Sequence, residues 1–334
     1  MARQDDGYTF VLADDVTRTS VRFKNRYGIE IAGDLYVPSD ASGPLPALAV
    51  SGPFGAVKEQ SAGLYANELA RRGFVTLAFD PSFTGESGGE VRDVASPEIF
   101  TEDFSAAVDF LGLQSVVDRD RIGVQGICGL SGMAITAASG DSRIKAVATS
   151  SMYDMARSMS CSHQDSYTPE QRRKVVDYLS RQRWNDAENG SVARGLHEVP
   201  FDDEGNLVTG DRVLPETLPD GADPVTPAFF DYYRTDRGYH PRAINSTTAW
   251  TATTPMPFFE FTLMSHLDQV APRPVLLVAG ADAHSRYYSE DVHTQAPDAT
   301  DLLIVPGADH VDLYDRTDLI PFDELEAFFL KHLG

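Results

Sequence analysis

The chain has 334 residues, and its 50 Asp and Glu against 28 Lys and Arg give a formal net charge of −22. This excess of negative charge disfavours binding to nucleic acid or to an anionic membrane, because both need basic groups to neutralise phosphates. Hydrophobic residues make up 42% of the chain, enough to bury a core, so a disordered protein is also excluded. The length predicts one large domain with an insertion, or two domains.

The cysteines and the N-terminus bear on the compartment. Cys128 and Cys161 are too few for a disulfide framework, so free thiols in a reducing compartment are expected. Residues 1–6 lack the apolar core of a signal peptide, and the chain contains no run of about 18 apolar residues. We therefore expect a cytoplasmic protein without a membrane partner. The sequence does not decide between a monomer and a homo-oligomer.

The order of apolar runs predicts an α/β fold built on a mostly parallel, doubly wound sheet. Residues 19–36 alternate apolar and polar side chains around a turn at 25–28, which predicts an antiparallel hairpin at a sheet edge. Short continuous apolar runs then alternate with helical patterns, as in sheets buried on both faces with right-handed crossovers. The predicted strands are 47–50, 75–79, 122–125, 146–149, 275–279 and 302–305, and the predicted core helices are 58–72, 98–111, 130–139 and 321–332.

The alternation breaks near residue 151 and resumes at 274. Residues 154–270 contain helix-like pieces, a loop at 200–227 rich in Gly, Asp and Pro, and many Tyr, Phe and Trp residues. A structureless loop of this length is rare inside a compact domain. We therefore predict a largely helical cap at 154–270, inserted into a core made of 1–153 and 271–334.

A turn of small residues follows the predicted strand at 122–125 and leads into a helix. A nucleophile at the tip of such a sharp turn needs small neighbours, because its backbone is strained and the helix packs close to the strand. Gly126 and Gly129 meet that need around Cys128, and the positive helix end favours a thiolate. Cys128 is therefore the candidate nucleophile. The alternatives are that Cys128 is a buried core residue, or that Ser131 attacks instead.

His310 is the candidate general base, since it follows the predicted strand at 302–305 through a glycine turn. Its alternative is an ordinary histidine of a surface loop. Carboxyl ends of parallel strands meet at one sheet edge, so His310 and Cys128 are expected to lie together. Asp282 is preferred as the acid that orients the imidazole, Asp154 is the alternative, and Glu290 is a more distant one.

An acyl-transfer site also needs two backbone N–H groups to bind the oxyanion. Gly129, directly after the nucleophile, supplies one of them. The loop at 51–55 follows the strand at 47–50, and because Pro53 has no N–H, Phe54 is the candidate for the second. Considered alone, this loop would be interpreted as an ordinary Gly/Pro turn. Its position in the order of predicted elements is what makes it a candidate oxyanion loop.

These motifs, in this order, resemble the α/β-hydrolase superfamily. The turn DPSFTGESGG at 80–89 is similar to the D-x-x-G-x-G-x-S turn of that superfamily, and the cysteine elbow is similar to that of dienelactone hydrolases. The stretches 55–60, 152–155 and 283–290 resemble a bacterial branch related to fungal polyketide transferases and thiohydrolases.

The sequence departs from the superfamily pattern at two positions. Leu130 stands where G-x-Nu-x-G has its second glycine, and the usual position of the acid falls on Ala283, one residue beyond Asp282. The resemblance to the bacterial branch implies that an acid is often missing at Asp282, which favours Asp154.

The resemblance implies an acyl hydrolase for carboxylic esters, lactones or thioesters, with a Cys-His-Asp triad and no cofactor. An aromatic cap predicts a small-molecule substrate with a hydrophobic or aromatic acyl group. Two alternatives stay open: an acyltransferase with the same triad, and a non-catalytic ligand-binding or redox-sensing member of the fold. The His and Cys residues lack metal-ligand spacing, so no metal site is predicted.

Overall fold

The structure, a computed structural model, describes residues 7–334. Residues 1–6, on which the expectation about a signal peptide rests, lie outside the described residues. The strands are β1 (Val16–Lys24), β2 (Glu30–Pro38), β3 (Leu45–Ser51), β4 (Val75–Phe79), β5 (Val117–Ile127), β6 (Ile144–Ser150), β7 (Arg194–Gly195), β8 (Trp250–Thr251), β9 (Val275–Gly280) and β10 (Thr300–Val305).

The helices lie between these strands and after the last one. They are α1 (Ser61–Ala70), α2 (Pro97–Gly112), α3 (Leu130–Gly140), α4 (Met155–Cys161), α5 (Pro169–Asn189), α6 (Thr226–Arg234), α7 (Ile244–Thr247), α8 (Met256–Glu260), α9 (Arg286–Gln295), α10 (Asp312–Asp315) and α11 (Phe322–Leu333). Local chemistry sets several of their ends: the Ser96 side chain caps α2 before Pro97, and Thr168 and Gln171 form a capping box on α5.

Eight strands form one mixed sheet in the order β1-β2-β4-β3-β5-β6-β9-β10. The pairs β1/β2 and β2/β4 are antiparallel, and the other pairs are parallel. The predicted α/β fold with a mostly parallel sheet is therefore confirmed, and so is the antiparallel hairpin at its edge.

The central strands are buried on both faces. In β3, Ala47 and Ala49 pack on one side of the sheet, while Leu48 and Val50 pack on the other. Side chains of α2, α3 and α9 cover the first side, and side chains of α1 and α11 cover the second. This burial explains why these strands are continuous apolar runs in the sequence rather than alternating ones.

The segment between β6 and β9 contains five helices, α4 to α8, and the short pair β7/β8. Trp250 and Phe258 from this segment are fully buried and pack in the same cluster as side chains of the sheet. The division into a core and a cap at 154–270 remains a prediction. Within residues 7–334 no helix is both long enough and apolar enough to cross a membrane.

Candidate active site

Cys128 lies between β5 and α3 in a strained backbone conformation. Its φ is +53°, which is uncommon for a residue other than glycine and is retained only where the surrounding structure enforces it. Its N–H donates to the Ser150 carbonyl at 2.9 Å, and its carbonyl accepts from the Tyr153 N–H at 3.0 Å. A Cβ on Gly126 would come within 2.6 Å of the Ser131 Cα, so glycine is required there. This is the geometry predicted for a nucleophile elbow.

The side chain of Cys128 opens into a cavity of about 210 Å³. Its wall is mostly apolar and includes several aromatic rings, and none of the side chains that line it is Lys or Arg. The aromatic members are Phe54, Tyr153, Phe229, Tyr233 and Tyr314. Ser131, the alternative nucleophile, is buried in α3 and does not line this cavity.

Burial raises the pKa of the Cys128 thiol to about 11, although hydrogen bonds from the Tyr314 hydroxyl and from the backbone amides of Phe54 and Gly129 lower it. The expected thiolate at the helix N-terminus is therefore wrong for the resting protein, because loss of solvation outweighs the helix end and the three donors. The amides of Phe54 and Gly129, the two predicted oxyanion donors, thus lie beside the Cys128 thiol.

His310 is buried at the same edge of the sheet. Its Nδ1 lies 2.6 Å from the Ser285 hydroxyl oxygen, and its Nε2 lies 2.9 Å from the Tyr314 hydroxyl oxygen. Burial, with His284 adding a smaller effect, holds the pKa of His310 well below its usual value. The imidazole is thus neutral near pH 7 and able to accept a proton.

Neither predicted acid, Asp282 or Asp154, makes a hydrogen bond to His310 within residues 7–334, so a Cys-His-Asp triad stays a prediction, and Ser285 is the partner of Nδ1. Asp282 is exposed and makes no hydrogen bond to His310; its backbone N–H donates to the Ala308 carbonyl. Asp154 caps α4 by accepting from the Arg157 N–H at 3.0 Å, and Glu290 pairs with Arg286. The reason is the path of the chain after β9, which turns so that Ser285, three residues beyond Asp282, faces the imidazole.

Two further polar side chains of the cavity were not predicted. Glu198 accepts a hydrogen bond from the Ser158 hydroxyl and has no ion-pair partner within residues 7–334. The neighbouring His197 is packed against Phe54, and its Nδ1 is buried without a hydrogen-bond partner in the described chain. Both lie in the irregular segment after β7, where the sequence carries no periodic signal.

Tyr314 was also missed, although a signal was present. It stands four residues after His310, a spacing that brings two side chains together when the intervening turn is helical, as it is around α10. Ser285 had no comparable signal, because a serine before a helix is ordinarily a cap.

Comparison with known proteins gives a family match and a similar bacterial protein of known structure. Residues 27–202 match the family described as X-Pro dipeptidyl-peptidase (S15 family). The uncharacterised protein PA2218 of Pseudomonas aeruginosa is 53% identical over 97% of this chain and 83% of its own length. Its crystal structure superposes with a TM-score of 0.90 at 52% identity, covering 99% of this chain and 98% of that chain.

Two further proteins are more distantly similar. Thiohydrolase aneE of Aspergillus aculeatus is 35% identical over 40% of this chain and 41% of its own length. Est1E of Butyrivibrio proteoclasticus, solved with bound ferulic acid, has a TM-score of 0.59 at 16% identity over 94% of this chain and 99% of that chain, a likeness of fold alone. The resemblance to α/β hydrolases, and to fungal thiohydrolases among them, is confirmed.

Proposed function

Because the chain belongs to the X-Pro dipeptidyl-peptidase (S15) family and has an α/β-hydrolase fold, we propose that it is an acyl hydrolase with Cys128 as its nucleophile. Its substrates are carboxylic esters, lactones or thioesters. The observation that carries the proposal is the Cys128 elbow: a thiol at φ +53° that opens into an apolar cavity, with the backbone amides of Phe54 and Gly129 near enough to lower its pKa.

The first half of the reaction transfers the acyl group to the enzyme. The Cys128 sulfur attacks the acyl carbonyl carbon while the thiol proton passes to Nε2 of His310. The amides of Phe54 and Gly129 donate to the oxyanion that forms. As this intermediate collapses, the bond to the leaving group breaks, and the leaving group takes the proton from His310.

The second half returns the enzyme to its resting state. A water gives a proton to Nε2 of His310 and attacks the carbonyl carbon of the acyl-cysteine. The C–S bond then breaks, and the proton on His310 returns to the sulfur. Ser285 supports both halves, since accepting a hydrogen bond from Nδ1–H fixes the tautomer in which Nε2 is free to take a proton. That tautomer is assigned from the hydrogen bonds.

The nucleophile favours activated acyl groups over peptides. A thiolate leaves a tetrahedral intermediate far more readily than an amine, so an amide substrate would return to reactants. Esters, lactones and thioesters have leaving groups that compete with sulfur. A small aromatic cavity without basic residues supports an uncharged hydrophobic or aromatic acyl group.

A redox-sensing role for Cys128 is not favoured. Sensor cysteines react as thiolates and are accessible, whereas Cys128 is 6% exposed and burial raises its pKa to about 11.

Transfer of the acyl group to an acceptor other than water needs the same acyl-enzyme, so an acyltransferase would differ from a hydrolase only in the second half of the reaction.

Replacing each of the two cysteines in turn tests the proposal. Cys128→Ala should reduce hydrolysis of p-nitrophenyl butyrate and of a butyryl thioester to the uncatalysed rate. Cys161→Ala, at the end of α4 and away from the cavity, is the matched control and should be active. Intact mass spectrometry of the wild type mixed with substrate should show one butyryl group on Cys128. Full activity of Cys128→Ala, or stabilisation by substrate without turnover in the wild type, would contradict the proposal.

A further inference from the structure

Tyr314 stands between the proposed nucleophile and the proposed base. Its hydroxyl oxygen lies 2.9 Å from Nε2 of His310, and its side chain lines the same cavity as Cys128, where the phenol and the thiol each shift the pKa of the other. Within residues 7–334 no direct hydrogen bond joins Cys128 and His310. All three side chains are buried: Tyr314 is 0%, His310 1% and Cys128 6% exposed.

Packing holds the phenol ring in this position. The rings of Phe229, Tyr232 and Tyr233 surround it, with centroids 6.5, 5.2 and 6.4 Å from that of Tyr314. Because its ring is enclosed, the hydroxyl cannot swing away without displacing these neighbours. The contact with Nε2 is therefore built into the fold around α10.

The chemistry of the three groups fixes the direction of the hydrogen bonds. A phenol has one proton to donate, and the neutral imidazole nitrogen is a better acceptor than a thiol sulfur. While the thiol is neutral, the hydroxyl therefore donates to Nε2, which requires that Nδ1–H donate to Ser285, and the phenol oxygen is left to accept the S–H proton of Cys128. The result is a chain of donors that runs from the thiol to the imidazole.

We propose that Tyr314 is a catalytic residue that relays the proton between Cys128 and His310. When the sulfur attacks the acyl carbon, the S–H proton moves to the Tyr314 oxygen as the phenolic proton moves to Nε2. Tyr314 begins and ends neutral, His310 becomes an imidazolium, and the negative charge is carried by the oxyanion. The reverse double transfer delivers a proton to the leaving group or, at the end of the cycle, to the sulfur.

The concerted transfer avoids a phenolate. Burial raises the pKa of Tyr314 well above its usual value, and the charge of a Cys128 thiolate adds to that shift. An ionised tyrosine here would be costly, whereas a simultaneous gain and loss of a proton leaves no charge on the ring. This inference rests on the proposed function, because it assumes attack by Cys128.

The test uses the full-length Tyr314→Phe variant, which lacks only the phenolic oxygen. In Tyr314→Phe, kcat for p-nitrophenyl butyrate should fall about 100-fold with KM little changed, within the range that proton transfer contributes. The same variant should slow alkylation of Cys128 by iodoacetamide at a fixed pH, because the thiolate form loses the Tyr314 hydroxyl as a hydrogen-bond donor and the pKa of the thiol rises. Alkylation of Cys161 in the same digest serves as an internal standard.

Tyr232→Phe is the matched control. Tyr232 is a fully buried tyrosine of the same cluster, does not line the cavity with Cys128, and should keep kcat within twofold of the wild type. A second measurement needs no variant: in mixtures of H₂O and D₂O, the dependence of kcat on deuterium content should be curved, as expected for two protons in flight. A straight line would overturn the relay.

The outcomes separate this inference from the proposed function. If Cys128→Ala is inactive while Tyr314→Phe has wild-type kcat and wild-type alkylation of Cys128, the relay alone fails. If Tyr314→Phe is faster than the wild type, the hydroxyl blocks His310 instead of serving it, and the relay again fails. If Cys128→Ala is fully active, the proposed function fails first.

Discussion

The hydroxyl oxygen of Ser285 lies 2.6 Å from Nδ1 of His310, in the place where a catalytic triad has a carboxylate. A serine accepts from Nδ1–H and so orients the ring, but it adds no negative charge to stabilise an imidazolium. The exposed Asp282, three residues earlier, makes no hydrogen bond to this histidine within residues 7–334.

Substitutions at these two positions should have unequal effects. Ser285→Ala should lower kcat about tenfold, because the imidazole loses the partner that fixes its tautomer, while KM changes little. Asp282→Asn and Asp154→Asn should stay within twofold of the wild type. Steady-state hydrolysis of p-nitrophenyl butyrate measures all three. A collapse of the rate in Asp282→Asn would contradict the observed geometry.

The activity should extend to lower pH than an ordinary histidine base allows. The pKa of His310 is held well below 6.5 by burial, so the free base persists as the pH falls below 6.5. We expect kcat/KM to be flat between about pH 6 and 8, with its acid limb below pH 6. A profile measured at constant ionic strength that halves at or above pH 6.5 would contradict this.

The same group makes folding stability depend on pH. The unfolded chain takes up a proton on His310 near pH 6.5, while the folded protein does not until a much lower pH. The unfolded state therefore binds more protons below pH 6.5, and the contribution of this histidine to stability is complete above that pH and declines as the pH falls. In His310→Gln, the free energy of unfolding in urea should fall less steeply between pH 6.5 and 5 than in the wild type.

Cys128 should react slowly with alkylating agents at neutral pH. With a pKa of about 11, roughly one thiol in ten thousand is ionised at pH 7, compared with a few per cent of an ordinary cysteine. We expect iodoacetamide to modify Cys128 at least 100-fold more slowly than it modifies glutathione, with the rate rising steadily up to pH 10. Rapid modification that saturates below pH 8 would show that a thiolate is already present.

Glu198 should set the charge preference of the cavity. It is the carboxylate in a cavity that has no lining Lys or Arg, and its charge contributes to the raised pKa of Cys128. In Glu198→Gln, the ratio of kcat/KM for a p-nitrophenyl hemisuccinate to that for the butyrate ester should rise about tenfold, equivalent to about 1.4 kcal/mol. Glu204→Gln, a substitution outside the cavity, is the control. An unchanged ratio in Glu198→Gln would remove Glu198 from substrate recognition.

Two glycines near α3 should differ in their tolerance of alanine. A Cβ at Gly126 would come within 2.6 Å of the backbone at Ser131, whereas a Cβ at Gly140 would meet nothing within 4 Å. Gly126→Ala should lower the free energy of unfolding by about 2 kcal/mol or more, since the backbone of the elbow must shift. Gly140→Ala should be neutral or raise it by about 0.5 kcal/mol. Urea unfolding compares them, and equal effects would mean that the elbow is not tightly packed.

The sequence by itself determined the sheet and the elbow. Strands buried on both faces must be apolar throughout, so the sheet is visible in the sequence as short apolar runs. A strained turn packed against a helix must have small neighbours, so the elbow is visible as the glycines around Cys128. His310 could also be found, because strands of a parallel sheet deliver their following loops to one edge.

The tertiary structure alone decided what surrounds these two residues. Ser285 rather than Asp282 contacts Nδ1 of His310 because of the path that the chain takes after β9. The local sequence does not predict that path. Tyr314 reaches His310 because its phenol ring packs among aromatic rings that come from a distant part of the chain, such as Tyr232. The protonation state of Cys128 could not be predicted from the sequence either. The helix N-terminus, which favours a thiolate, follows from the local sequence, whereas the burial that raises the pKa of the thiol depends on the whole fold.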